Sequence, residues 1–214
     1  MTAPTEEFAA RLRKVGVVPV VTVEDAASAV PLARALLAGG IDVIEVTLRT
    51  PAAIEAIRQI AAELPEMVVG AGTVLSEKQL LESVTAGARF IVSPGLTPVI
   101  AEAGLAAPVP LLAGVATASE AMFAAESGLT FLKFFPAETS GGAAALKALG
   151  APLPHIRFCP TGGIDAARAP SYLALPNVVC IGGSWMASPQ AVKAGDWATI
   201  TKLASEASKL ARPA

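Results

Sequence analysis

The sequence predicts an α/β fold, a single (β/α)₈ TIM barrel with an extra N-terminal helix. Three observations carry this. Eight short β-rich apolar runs begin at 17, 41, 67, 90, 109, 130, 156 and 178, in steps of 19 to 26 residues. The runs are continuously apolar, which suits parallel strands covered on both faces. Between them lie Ala/Leu-rich segments with helix starts and stops. At 214 residues the chain is at the compact end of the range for such a barrel.

The runs are Val17–Val21, Ile41–Thr47, Met67–Thr73, Phe90–Ser93, Val109–Gly114, Thr130–Phe135, Ile156–Thr161 and Val178–Gly183. A helix over Glu24–Ala38 ends at Gly39-Gly40. Ser76 precedes a helix from Glu77 to Ala86, stopped by Gly87. Pro51 and Pro98 stand where first-turn prolines are tolerated. Asp196 begins the last helix, which runs to about Leu210. No linker or composition shift divides the chain, so residues 1–214 read as one domain. The competing architecture is an open doubly wound sheet. No GxGxxG follows the first strand and the glycine-rich turns come late, which favours the barrel.

Composition narrows the function classes. Hydrophobic types make up 53% and charged types 16%, which rules out a disordered chain. The formal net charge is −2 with no basic block, which argues against nucleic acid as a partner. Met1–Glu7 is polar and acidic and lacks the features of a signal peptide. The longest charge-free stretch, Ala169–Val192, is broken by Pro170, Pro176, Pro189 and Gly182-Gly183, so no membrane span is expected. Two cysteines, Cys159 and Cys180, are too few for a disulfide scaffold and read as reduced thiols in a cytoplasmic protein. A single histidine, His155, excludes a site needing several His ligands, and no metal is expected.

Lys133 lies in Thr130-Phe131-Leu132-Lys133-Phe134-Phe135-Pro136, the most aromatic stretch of the chain. Strand alternation puts Phe131, Lys133 and Phe135 on one face. Burying an ammonium is costly and favours the neutral amine, a nucleophile toward carbonyls that forms Schiff bases. The other reading is a strand-end lysine whose head reaches water. Glu45, Thr47 and Arg49 share one parity of the second run. That offers a proton-transfer group beside an anion anchor, or a structural Glu–Arg pair. The turns Thr161-Gly162-Gly163 and Gly182-Gly183-Ser184 follow the last two runs, where barrels frequently build a phosphate site. Glycine also simply permits a tight turn. Gly70-Ala71-Gly72-Thr73 and Ser93-Pro94-Gly95 end two further strands and bring backbone or a hydroxyl near a ligand.

These segments, with Lys133-Phe134-Phe135-Pro136-Ala137-Glu138 and Pro160-Thr161-Gly162-Gly163-Ile164, resemble the 2-keto-3-deoxy-6-phosphogluconate aldolases, which often also cleave 4-hydroxy-2-oxoglutarate. The resemblance runs from about Val17 to Lys209, one motif per strand end. It implies a class I, Schiff-base aldolase without cofactor or metal, a homotrimer of the Entner–Doudoroff pathway. Lys133 would form the Schiff base and Glu45 would act as acid and base. Arg49, Thr73, Pro94 and Phe135 would surround the pyruvyl end of a phosphorylated keto acid. Thr161, Gly162, Gly163, Gly182, Gly183 and Ser184 would face its phosphate. One departure is Ala113-Gly114-Val115-Ala116-Thr117, where the family often has Pro-Gly and a hydroxyl residue; that loop bears on the far end of the substrate. The alternatives are a relative preferring the galactonate epimer, a metal-free phosphosugar isomerase or epimerase, and a barrel that only binds a phosphorylated ligand.

Overall fold

The computed structural model describes residues 3–210; residues 1–2 and 211–214 of the predicted domain lie outside them. A first helix, α1 (Ala3–Val15), precedes β1 (Val17–Val21). Then β2 (Val43–Thr47), β3 (Val68–Gly72), β4 (Ile91–Val92) and β5 (Leu111–Leu112) alternate with α2 (Ala29–Ala38), α3 (Ala53–Glu63), α4 (Glu77–Thr85) and α5 (Pro98–Ala106). The second half holds β6 (Gly114–Val115), α6 (Ala118–Glu126), β7 (Phe131–Phe134), α7 (Gly142–Gly150), β8 (Arg157–Pro160), α8 (Ala169–Leu173), β9 (Ile181–Gly183), α9 (Pro189–Ala194) and α10 (Trp197–Ser208).

The hydrogen bonds do not make the single closed eight-stranded barrel that the spacing predicts. The strands form two parallel sheets, one in the order β5-β4-β3-β2-β1-β9 and one in the order β6-β7-β8. Two local causes break the ladder. The fifth predicted run divides at Ala113. Leu111 and Leu112 pair with β4, whereas Gly114 and Val115 pair with β7, so the chain changes partner within one run. The second break lies between β8 and β9. Phe158 bridges Val178, with Phe158 N–H donating to Asn177 at 2.8 Å and Val179 N–H donating to Phe158 at 2.9 Å. The next rung of a parallel ladder calls for an N–H at residue 160, and Pro160 has none. Contact resumes one step later as an isolated bridge between Thr161 and Gly182.

Local chemistry sets the helix boundaries. Ser76 caps α4, accepting from Gln79 N–H at 3.3 Å. Thr97 caps α5, with Pro98 in the first turn. Thr117 and Glu120 form a reciprocal capping box on α6. The Ala116 amide, followed by the Thr117 hydroxyl and amide, holds the Glu120 carboxyl below its ordinary range. Asp196 caps α10, and its bonds to Thr199 lower its carboxyl likewise. The helix expected over 24–38 begins later, at Ala29, after a 3₁₀ turn over Ala26–Ser28. Pro51 lies ahead of α3 rather than in its first turn.

One apolar cluster runs from Phe8 to Ala207. Phe8 of α1 stacks on Phe90 with ring centres 4.8 Å apart and covers the starts of the strands. Phe90 in turn lies over Gly70, where a Cβ would stand 2.4 Å from the ring. That end of the interior is therefore filled. Most of the predicted site residues gather at the other end, where the strands finish.

Candidate active site

Lys133 projects from β7, in register with Gly114 of β6 and Cys159 of β8. Glu45 projects from β2, in register with Val20 and Gly70. Their side chains meet across the interior, with Nζ of Lys133 3.3 Å from Oε1 of Glu45. Lys133 is 6% exposed and Glu45 4%, so each charge depends on the other. Removing one partner of such a pair costs about 3–5 kcal/mol, because the survivor stays buried and unpaired. The ammonium also lies 5.0 Å from the centre of the Phe135 ring. A strand-end lysine reaching water is thus not what forms. The lysine is held inside, with one acid and one aromatic face for company.

Gly72 makes the Glu45 position possible. A Cβ on Gly72 would stand 2.1 Å from Oε1 of Glu45 and 2.7 Å from its Cδ and Cγ. Gly114 plays a similar part beside Lys133, where a Cβ would stand 2.2 Å from the Pro94 carbonyl oxygen. The Ser93-Pro94-Gly95 turn thereby lies against the strand next to the lysine.

Arg49 Nε donates to the Thr73 hydroxyl at 3.3 Å. Thr73 is in the left-handed region, at φ 59, the one non-glycine residue there among those described. A β-branched residue in that conformation costs about 1–3 kcal/mol, a strain that collects at functional sites. Here it turns the hydroxyl toward the guanidinium. Thr47 donates to the Val21 carbonyl at 3.0 Å and shares a 2.9 Å contact with the Thr22 hydroxyl, tying the ends of β1 and β2 together.

A cavity of about 350 Å³ opens at these strand ends. Of the predicted residues, Arg49, Phe135, Thr161, Gly162, Gly163, Gly182, Gly183 and Ser184 line it. Lys133, Glu45, Thr73 and Pro94 do not line it: Lys133 is buried 5.0 Å from the Phe135 ring and pairs with Glu45, Thr73 bonds Arg49, and Pro94 lies against Gly114. Gly162 and Gly163 adopt φ 105 and φ 79, backbone that only glycine takes up cheaply. A Cβ on Gly182 would stand 2.4 Å from the Thr161 hydroxyl, so the two glycine turns are packed together. Val20, Thr22, Ile164, Ala187 and Pro189 also line the cavity and were not singled out from the sequence. Thr22 had a usable signal, a hydroxyl just past the end of a strand.

A larger groove, of about 600 Å³, lies at the opposite end, beside Phe8, Arg11, Asp42 and Arg89. Arg11 and Asp42 form an ion pair there, 2.6 Å apart and partly exposed, whereas eight of the predicted site residues line the smaller cavity. Cys159 and Cys180 are free and buried, and burial pushes the Cys180 thiol up, which keeps it protonated and inert. Among the described residues no three His, Cys, Asp or Glu side chains gather into a group able to hold a metal ion. No helix among them is long and apolar enough to cross a membrane.

The model of the KDPG and KHG aldolases matches residues 8–203. The KHG/KDPG aldolase of Escherichia coli K12 is 53% identical over 191 residues, which cover 89% of this chain and 90% of that one. A KDPG aldolase from Legionella pneumophila, with pyruvate captured as a covalent carbinolamine, superposes with a TM-score of 0.90 at 44% identity, covering 92% of this chain and 96% of that one. The enzyme of Zymomonas mobilis ZM4, solved with 3-phosphoglycerate, gives a TM-score of 0.88 at 48% identity, covering 96% of each chain.

Proposed function

The chain belongs to the KDPG and KHG aldolase family, and from that premise we propose that it cleaves 2-dehydro-3-deoxy-6-phosphogluconate to pyruvate and glyceraldehyde 3-phosphate through a Schiff base on Lys133. It also splits 4-hydroxy-2-oxoglutarate to pyruvate and glyoxylate. The observation that carries the reading is the buried Lys133–Glu45 pair, 5.0 Å from the ring of Phe135, which lines a cavity together with the two glycine turns.

The chemistry follows from the parts. Glu45 takes a proton from the Lys133 ammonium, and the free amine adds to C2 of the keto acid. The C2 oxygen leaves as water, and a protonated imine remains. Glu45, again a carboxylate, accepts the C4 hydroxyl proton. The electrons of the C3–C4 bond move into the imine, the aldehyde departs, and an enamine stays on Lys133. Glu45 returns its proton to C3, water adds at C2, and the Nζ–C2 bond breaks to release pyruvate. The imine is the electron sink that a metal supplies in other aldolases. Arg49, oriented by Thr73, pairs with the substrate carboxylate. Pro94 and Phe135 enclose the pyruvyl group. Thr161, Gly162, Gly163, Gly182, Gly183 and Ser184 take the phosphate, largely through backbone N–H groups.

Residues 1–214 act as one such domain, in a cytoplasmic homotrimer. The single apolar cluster supports the first point and the two free thiols the location. Exposed Leu81, Val99, Leu105, Met122 and Phe123 on α4, α5 and α6 support self-association.

Borohydride reduction in the presence of pyruvate tests the assignment, run in EDTA so that metal independence is read in the same tube. Peptide mapping should find one reduced pyruvyl adduct, on Lys133, and Lys133→Met should abolish it. An isomerase or a binding protein on this scaffold would gain no adduct. A label on another lysine, or one lost with EDTA, would overturn the assignment.

A further inference from the structure

We propose that Glu138 is a positioning residue for the phosphate end, its side chain holding the Gly162-Gly163 turn in the shape that receives the anion. The proposal rests on the reading of that turn as the phosphate site.

The turn lies directly on the stem of Glu138. A Cβ on Gly163 would stand 2.7 Å from Cγ of Glu138 and 2.8 Å from its Cβ. The backbones are stitched as well, since Ala137 N–H donates to the Thr161 carbonyl at 2.8 Å and Glu138 N–H to the Gly162 carbonyl at 3.1 Å. The segment after Lys133 thus reaches over and grips the turn after β8, beyond the point where the ladder ends.

The carboxylate anchors this grip. Its Oε1 accepts from the Tyr172 hydroxyl, and Tyr172 is buried in α8. Burial first, then the bond to Glu138, raises the Tyr172 hydroxyl, so it remains a donor throughout the physiological range. Oε2 lies 3.1 Å from Nε of Arg168. Arg168 is itself held by Asp165, whose Oδ1 accepts the Arg168 backbone N–H at 2.9 Å. The chain from 161 to 172 therefore wraps back on Glu138 from both sides.

The electrostatics make this arrangement conditional. A carboxylate directly behind an anion site repels the anion unless it is neutralised. Arg168, shared with Asp165, offsets part of that charge, and Glu138 braces the turn with least opposition to a phosphate while the pair is intact. The sign of this effect separates a positioning role from a merely structural one.

The test compares KM for the phosphorylated substrate, inhibition by inorganic phosphate, and turnover of 4-hydroxy-2-oxoglutarate. Glu138→Ala should raise the first KM and the phosphate Ki about tenfold or more, and change turnover of the shorter substrate by less than about threefold. Glu138→Gln, which keeps the stem and an acceptor for Tyr172, should stay within about threefold of wild type. Arg168→Met removes the cation that Glu138 and Asp165 share and should weaken phosphate binding about two- to fivefold, and adding Glu138→Gln to it should recover part of that loss. If Glu138→Ala does not fold, the Arg168→Met pair of variants carries the test. Equal losses on both substrates, an unchanged phosphate Ki, or a double variant no better than Arg168→Met would overturn the proposal. A wild-type enzyme indifferent to inorganic phosphate would overturn the phosphate-end reading itself, and would be seen before any variant is made.

Discussion

Glu45→Gln is expected to lower kcat by about 10²–10⁴-fold while pyruvate trapping on Lys133 still reaches completion. Glutamine keeps the shape and an acceptor oxygen facing Nζ at the 3.3 Å contact, so the lysine stays in place. What is lost is the site that takes the C4 hydroxyl proton and returns a proton to C3. Imine formation needs those transfers less, because water can carry them, so trapping slows without failing. The measurement pairs single-turnover cleavage with the yield of reduced adduct. Near-normal turnover in the variant would reduce Glu45 to a counter-ion for Lys133.

Gly72→Ala is expected to cost about 10²-fold in kcat without replacing any reacting group. The new methyl would stand 2.1 Å from Oε1 of Glu45, and the carboxyl group must retreat by about an ångström to clear it. A displacement of that size breaks the contact with Lys133. The same overpacking should lower stability by about 1–3 kcal/mol and Tm by several degrees. The decisive comparison is on the Glu45→Gln background. There residue 45 no longer transfers protons, so the alanine should cost less than about threefold in kcat. Fully multiplicative losses would mean that Gly72 acts on something other than Glu45.

Much of this arrangement was legible in the chain. Lys133 stood out as the one cation within an aromatic run, and an ammonium flanked by Phe131, Phe134 and Phe135 has little reason to be there unless something is made of it. Glu45 and Arg49 shared a parity, and the glycine turns fell after the last two strands. What stayed hidden depends on pairing across the sheet. Pro160 reads as an ordinary apolar strand residue, and that it stops the ladder follows only once Val178 is known to lie opposite Phe158. Ala113 is equally bland, and its effect comes from the two different neighbours that its run takes. Gly72 could be marked as a close approach, but the atom approaching it belongs to a side chain on another strand. Thr73 at φ 59 was invisible, since nothing in its type suggests a left-handed residue. The loop at 113–117, noted as a departure from the family, turned out to be where one sheet hands the chain to the other.

The two breaks in the ladder divide the working parts. Glu45 belongs to the six-stranded sheet and Lys133 to the three-stranded one, and the turns after β9 and β8 are divided in the same way. The two residues proposed as proton donor and nucleophile therefore ride on separate rafts, moored at Ala113 and at the Phe158–Val178 and Thr161–Gly182 bridges. A substrate held as proposed would touch both rafts at each of its ends and lace them together, so ligand occupancy would also be mechanical reinforcement. Hydrogen exchange at the amides of Val179 and Lys133, which donate across or beside the moorings, should slow once pyruvate is reduced onto the enzyme, while amides deep in the β2–β3 ladder should not change. Unchanged exchange at the moorings would mean that the rafts are already rigidly joined without a ligand.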